Sequence, residues 1–418
     1  MRALLVERLP HRFVAARIAA ATVGSGAGVG IGPIRLTDVD PPALPALGWH
    51  RIRPRLAGIC GSDLATLDGS SSRYFEPIVS FPFVPGHEIV ADGVDGEFAG
   101  RRIVVEPVLG CAARGLPLCP SCAAGRRGGC VHIGFGHLAP GLQTGYCADT
   151  GGGWSEELVA HVSQLHVVPD AVDDEDAVMV EPTACAVHAA HRANPGQGEH
   201  VVVLGGGTIG LLVIAALRQY FLPASVLVVA RHPAQRELAR NLGADLVVEE
   251  DEVLRAVRRL TQSLAFESRS GTPRRLTGGA DVVLDCVGSA RSLEQALEIT
   301  RPGGRIVLVG MPGPTRVDLA PLWQREVTML GAYAYGTEDR PDGTRSTFEL
   351  AIELVAAARL GRLVSARYPL DRYEEAVRHA ASAGRRGAVK VAFDLRRAGP
   401  AWQRHAVPAS RDAEEDPE

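Results

Sequence analysis

The residues best suited to chemistry stand between positions 111 and 130, where Cys111, Cys119, Cys122 and Cys130 make up four of the chain's eight cysteines. Cys119 and Cys122 form a CxxC pair, with glycines between the pair and Cys130. Four thiolates so placed can close a tetrahedral shell around Zn²⁺, which takes soft ligands and imposes no geometry of its own. Free or oxidised thiols are the plain alternative. The cluster gains meaning from its surroundings: Cys60, His87-Glu88 and Glu181-Pro182 flank it, and a glycine-rich turn follows at Gly205. Taken singly, a cysteine at a strand end is usually a small buried hydrophobe, and a glutamate opening a helix usually complements its dipole.

A second constellation carries cofactor chemistry. Val201–Leu204 runs into Gly205-Gly-Gly207-Thr208-Ile209-Gly210 and then into the apolar stretch Leu211–Leu217, giving a strand, a G-x-G-x-x-G turn and a helix. Gly205 permits the tight turn, Gly207 lets backbone N–H groups approach a pyrophosphate, and Gly210 lets helix and strand pack closely. The helix N-terminus adds donors and a favourable dipole. A lone glycine pattern is often a turn without a ligand. The flanking strand and helix, repeated in further units, select a dinucleotide site contacted by Gly205, Gly207, Thr208, Ile209 and Gly210.

These groups need elements to hold them. The first ~170 residues read as short strands, Arg2–Val6, His50–Leu56, Arg102–Glu106 and Glu157–Val168, with no long amphipathic helix among them. They predict an antiparallel, barrel-like domain with long functional loops. From about Asp173, apolar strands at Val201–Leu204, Ser225–Val229, Asp245–Val248, Asp281–Leu284 and Arg305–Val309 alternate with helices such as Thr208–Gln219 and Pro233–Asn241. That rhythm predicts a parallel sheet covered on both faces. Helices near Phe348–Ala358 and Asp371–Ala383 and a strand near Ala388–Phe393 are expected to complete the first domain. The fold class is α/β: a doubly wound parallel-sheet (Rossmann) nucleotide domain plus a mainly β, barrel-like catalytic domain. The expected division is 1–185 for the first catalytic part with the zinc sites, 186–322 for the nucleotide domain and 323–395 for the second catalytic part. Residues 396–418, poor in large apolar side chains, are expected as a disordered tail. Gly24–Gly32 and Phe266–Gly279 are expected as loops.

Gly58-Ile-Cys60-Gly-Ser62-Asp63, Pro85-Gly-His87-Glu88 and Val180-Glu181-Pro182 precede the glycine turn, and Gly387-Ala-Val-Lys-Val-Ala-Phe closes the chain's ordered part. This set resembles the medium-chain zinc-dependent alcohol dehydrogenases, above all the sorbitol, other polyol and threonine dehydrogenases, over about residues 1–395. The resemblance implies that Cys60, His87 and Glu181 bind a catalytic zinc and that Ser62 relays the proton leaving the substrate. Thiolate, imidazole and carboxylate are an acceptable ligand set that leaves one position open. Cys185, one helical turn after Glu181, is a rival ligand. Glu88 reads as an outer neighbour or alternate ligand, and Asp63 as the acceptor for the His87 nitrogen turned away from metal. The implied reaction passes hydride between a secondary alcohol or polyol, polarised by zinc, and C4 of a nicotinamide. Its reverse, an NAD(P)H-dependent carbonyl reductase, is one alternative, and a nucleotide-binding protein without turnover is another. A homodimer or homotetramer is implied by resemblance alone.

Three departures from the family pattern stand out. Several relatives carry histidine five residues after the first cysteine, and here that position is Ala65, so Thr66, water or the cofactor ribose would continue the relay. Seven residues separate Cys111 from Cys119, a longer loop than usual, which costs little in closure entropy. Ala230 stands where NAD-specific relatives carry Asp, and Arg231 follows it. With no carboxylate to hold the ribose hydroxyls and a guanidinium to meet a 2′-phosphate, NADP is favoured over NAD. His132 and His137 read as ordinary surface or core residues, with contact to a substrate as the alternative for either, and the stretches Ser70–Phe75 and Gly134–Trp154 as walls of the substrate pocket.

Composition excludes other classes. A net charge of −4 without basic clusters gives no nucleic-acid partner. No apolar run approaches the roughly 20 residues of a membrane span, and the start, Met-Arg-Ala-Leu-Leu-Val-Glu, does not read as a signal peptide. The expected partner is a small alcohol or carbonyl substrate, and the expected location is the cytoplasm.

Overall fold

Burial alternates along the central strands and sets the nucleotide side of the molecule. In the computed structural model, which describes residues 1–267, 269, 274–341 and 343–396, His200–Leu204 turns Val201 and Val203 toward helices Val180–Ala193, Thr208–Tyr220 and Thr347–Ala358. Val202 and Leu204 face a second core with helices Val253–Leu260 and Ala290–Ile299. A strand buried on both faces reads as continuously apolar. Six strands pair in parallel in the order Leu246–Val248, Ser225–Val229, His200–Leu204, Ala280–Asp285, Thr300–Leu308, Thr328–Gly331. In chain order this is 3-2-1-4-5-6, the doubly wound arrangement whose switch point lies beside the first strand, where the glycine turn begins. The sheet runs past residue 322, since Thr328–Gly331 forms its edge.

The other large sheet has seven strands, mostly antiparallel. Its hub, Trp49–Gly58, pairs on one side with Ile89–Gly93. On the other side it meets Leu158–His161 near its start and Lys390–Asp394 near its end. Arg102–Val105 and Leu165–Val167 extend the sheet at one edge, and Val364–Tyr368 lies parallel to Lys390–Asp394 at the other. The C-terminal segment thereby joins a sheet built from the N-terminal part.

Three sequence expectations need correction. Pro10–Thr22 forms a thirteen-residue helix where none was expected. Only Ala16 is buried in it, so its periodicity is faint, and proline at the first turn with the run Ala19-Ala-Ala is the remaining signal. Glu157–Val168 is two strands rather than one, because the Ser163 N–H donates to the His161 ring and turns the chain at Val162–Gln164. Within Phe266–Gly279, the arms Ala265–Glu267 and Arg274–Leu276 pair, too short for their period to show. The tail from residue 397 lies outside the described residues. No helix among the described residues is long and apolar enough to cross a membrane.

Candidate active site

Three strand ends meet where the motifs lie. Register sets Ala392 opposite Gly58 and Ile89 opposite Ala57. Carried one or two residues further, it brings Lys390 and Glu88 beside the Gly58–Cys60 turn. There the Ile59 N–H donates to the Val391 carbonyl and the Gly58 N–H to the Glu88 carbonyl, both at 2.9 Å. Cys60 then opens the short helix Gly61–Leu67, and its N–H donates to Asp63 Oδ2 at 2.9 Å. The helix turns Ser62 toward His87, Oγ to Nε2 3.5 Å. Glu181 arrives from the other unit, in the first turn of Val180–Ala193.

The electrostatics of this meeting are unbalanced. Burial pushes the Glu181 carboxyl up to about 7, with Glu88 adding to the effect. Cys185 Sγ lies 3.7 Å from Glu181 Oε1, and burial together with that carboxylate pushes its thiol up. Burial alone would depress His87, yet Asp63 and Cys60 hold its imidazole well above the usual range. Asp63 Oδ1 is 3.5 Å from His87 Nδ1 but not in hydrogen-bonding geometry, so Nδ1 is buried with no hydrogen-bond partner among the described residues. Asp63 raises the ring first through its charge, from a carboxylate that faces the His87 nitrogen assigned to it in the sequence. A divalent cation would relieve each strain by displacing protons from thiol and imidazole and by neutralising the carboxylate. The donor set of sulfur, nitrogen and carboxylate oxygen fits zinc.

Among the described residues, only the four-cysteine set brings three or more metal-ligating atoms within 4.8 Å of one another. Cys60, His87 and Glu181 thus share a neighbourhood without closing to ligand spacing. In the cysteine lobe, Cys111 Sγ and Cys130 Sγ are 3.6 Å apart. That is close to the ~3.8 Å expected between thiolates each ~2.3 Å from a tetrahedral zinc, and far beyond the ~2.05 Å of a disulfide. The Cys122 N–H, foremost, holds the Cys119 thiol down at about 6, while burial pushes Cys122 and Cys130 up. Four sulfurs this close cannot all ionise without a cation among them. His132 Nδ1 lies 3.2 Å from Cys111 Sγ, so this histidine is a neighbour of the cluster rather than an ordinary surface or core residue. His137 packs edge-on against Trp49.

Sequence reasoning missed three residues. Lys390 is 3% exposed, and its Nζ lies 2.6 Å from both carboxylate oxygens of Glu88, itself 1% exposed. This pairing occupies both carboxylate oxygens of Glu88. A lone lysine in the apolar run Ala388–Phe393 was the signal, since a buried lysine requires an acid partner. Tyr146 is buried against His87, its hydroxyl 3.4 Å from Asp63 Oδ1 and 3.3 Å from Thr66 Oγ1, with Ser62 also in reach. Thr66 Oγ1 is in turn 3.2 Å from Ser71 Oγ. Arg114, fully buried between Cys111 and Cys119, donates to the carbonyls of Leu109, Phe135, Leu138, Ala139 and Gly141.

At the cofactor turn, Gly205 has φ +103°, and a Cβ on Gly210 would stand 1.8 Å from the Gly205 carbonyl oxygen. Helix Thr208–Tyr220 starts from Gly207 without a side-chain cap, the condition that leaves N–H groups for an anion. Thr208 Oγ1 donates to the Val389 carbonyl at 3.3 Å, and Ile209 packs on the core. Ala230 is buried at the end of Ser225–Val229, and Arg231, largely exposed, reaches Glu250 at 3.4 Å.

A doubly wound dinucleotide sheet joined to a mainly β unit whose strand ends gather thiol, imidazole and carboxylate is the architecture of a metal-dependent dehydrogenase. Residues 47–170 match the alcohol dehydrogenase GroES-like domain and residues 208–357 the zinc-binding dehydrogenase domain. L-idonate 5-dehydrogenase of Vitis vinifera is 30% identical over 375 residues, covering 87% of this chain and 93% of the relative. Sorbitol dehydrogenase of Arabidopsis thaliana is 29% identical over 373 residues, with the same 87% and 93% coverage. The crystal structure of L-idonate 5-dehydrogenase from Escherichia coli K-12 shares the fold, with a TM-score of 0.64 at 23% identity over 86% of this chain and 93% of that one. The chain belongs to the zinc-dependent medium-chain alcohol dehydrogenases. Its chemistry is hydride transfer between an alcohol and a carbonyl with zinc and a nicotinamide cofactor.

The buried Lys390–Glu88 pair generates a stability prediction. Lys390→Met leaves a carboxylate unpaired in the core and is expected to destabilise the protein by about 3–5 kcal/mol, whereas adding Glu88→Gln restores most of the loss. Urea midpoints of the single and double variants check this. A double variant no more stable than Lys390→Met would contradict it.

Proposed function

We propose that this enzyme oxidises a secondary hydroxyl of a small polyhydroxylated substrate to the ketone, with NADP as hydride acceptor. Its catalytic zinc is held by Cys60, His87 and Glu181, and a structural zinc by Cys111, Cys119, Cys122 and Cys130. The observation that supports this reading is the gathering of Cys60, Ser62, His87 and a buried Glu181, its carboxyl pushed up by burial, in one neighbourhood of a chain of this family. Bound zinc supplies the Lewis acidity that lowers the pKa of the substrate hydroxyl. Ser62 takes the departing proton. Where relatives carry histidine this chain has Ala65, and the onward path runs over the hydroxyls of Tyr146, Thr66 and the half-buried Ser71. Burial pushes the Tyr146 phenol up, so it passes a proton by exchanging hydrogen bonds rather than by ionising.

The polyol class rests on the idonate and sorbitol dehydrogenases among the relatives. NADP rests on the buried Ala230 where an acid would bind the ribose and on the guanidinium of Arg231 next to it. Residues 1–185 open the catalytic domain and 186–322 form most of the nucleotide domain. Within 323–395, expected as the second catalytic part, Thr328–Gly331 adds the edge strand of the nucleotide sheet and Thr347–Ala358 packs on its core, and the remainder returns to the catalytic domain. The enzyme acts in the cytoplasm as a homodimer or homotetramer.

Elemental analysis is expected to find about two zinc ions per chain, one closed site and one open. Cys60→Ala loses one zinc and all turnover but keeps its melting temperature, while Cys122→Ala chiefly lowers stability, because a closed site contributes folding energy. One zinc or none in carefully prepared wild-type protein contradicts the two-site reading. Ser62→Ala is expected to lower kcat by roughly 10²–10⁴ without changing cofactor affinity, and near-native turnover would refute the relay. The wild type is expected to favour NADP over NAD in kcat/KM, and Arg231→Ala to erode that ratio. A wild-type preference for NAD of about tenfold, or an unmoved ratio in the variant, overturns the cofactor assignment.

A further inference from the structure

We infer that the 2′-phosphate of the cofactor is held from two sides, by Arg231 at the end of Ser225–Val229 and by Arg385 from the C-terminal turn Ala383–Arg386. The inference rests on the NADP reading above and adds to it a second, distant cation. A cavity of about 280 Å³ opens between the two units, lined by Arg231, His232, Ala381, Ser382, Gly384 and Arg385. It lies at the strand end where dinucleotide folds read the adenosine ribose.

The two walls are held together by a close approach. A Cβ on Gly384 would stand 2.3 Å from the His232 ring and 2.9 Å from Gln235 Nε2, so the turn lies directly against the start of helix Pro233–Asn241. The glycine is what lets Arg385 follow at that distance. The same segment is tied to the cofactor turn, where Thr208 donates to the Val389 carbonyl.

The charge in this cavity has one sign and is partly uncommitted. His232 is depressed first by its partial burial and then by Arg231, Arg385 and Arg236 together, which places three guanidinium groups around one ring. Arg236 is engaged by the Ala230 and Arg231 carbonyls and by Glu249. Arg231 is 76% exposed and among the described residues its side chain reaches only Glu250, at 3.4 Å, an acid that also pairs with Arg291. Arg385 is exposed and makes no hydrogen bond or ion pair among the described residues. The nine-residue helix Pro233–Asn241 opens toward this place with no side-chain cap and no acid in its first turn. Two guanidinium forks and an uncapped helix start suit a phosphate dianion, which accepts paired N–H donors. A plain ribose hydroxyl in the same place would leave Arg385 without a partner and Arg231 with only its exposed pairing to Glu250.

Calorimetric titration with adenosine 2′,5′-bisphosphate and with 5′-AMP tests the assignment without zinc chemistry or turnover. Wild-type protein is expected to bind the bisphosphate at least about tenfold more tightly than 5′-AMP. Arg385→Ala is expected to weaken the bisphosphate by about tenfold and to leave 5′-AMP unchanged, with Arg385→Lys recovering part of the loss. Wild-type protein that does not distinguish the two ligands removes the NADP reading itself. Discrimination that Arg231→Ala abolishes and Arg385→Ala leaves intact overturns the second cation alone. Equal weakening of both ligands by Arg385→Ala also overturns it, since the loss would not be specific to the 2′-phosphate.

Discussion

Sliding Trp49–Gly58 by one residue against Ile89–Gly93 would turn every side chain to the opposite face. Ile52, Pro54 and Leu56, now buried, would leave the core, while Arg51, Arg53 and Arg55 would enter it. Those arginines instead face outward and pair with Glu157, Asp92 and Asp174. Apolar and cationic residues in strict alternation thus lock one register, and three separate motifs depend on it. Cys60 leaves the end of this strand, Glu88 precedes its neighbour on one side, and Lys390 begins its neighbour on the other. The Lys390–Glu88 pair is affordable in the core only because that register brings the charges within 2.6 Å.

The remaining candidate ligand comes from a different unit, and its delivery is equally constrained. Asp174, nearly buried, accepts hydrogen bonds from Arg55, Arg102 and Arg396, which fastens the chain to the catalytic sheet just ahead of helix Val180–Ala193. Further along that helix, Ala184, Val187 and Ala190 belong to the core under the parallel sheet. Glu181 is therefore fixed at the end nearest the thiol and imidazole, while the body of the same helix supports the cofactor side. One rigid element carries both duties.

The parallel sheet and the motif residues were legible because they follow strong local rules: continuous apolar strands, a glycine turn between strand and helix, and ligand types in family order. Gly210 is an instance, since the space that excludes a Cβ is set by the turn within its own motif. The missed residues depend on contacts far apart in sequence. Lys390 finds Glu88 across 302 positions and Tyr146 finds Asp63 across 83, and neither carries a local signature beyond being polar in apolar company. Pro10–Thr22 was missed for another reason: a helix that buries one alanine has almost no periodicity to read.

The lengthened spacing between Cys111 and Cys119 also looks different once Arg114 is placed. That arginine lies within the additional loop, and with no acid among its hydrogen-bond partners it is satisfied by five backbone carbonyls, four of them from Phe135 to Gly141. Carbonyls carry no side-chain identity, so this bond set constrains the path of the 135–141 segment while leaving its sequence free to vary. Descent should therefore treat the two parts unequally. The 135–141 segment can diversify residue by residue under a constant anchor, but it cannot be transplanted onto a relative with the shorter cysteine spacing unless the anchor travels with it.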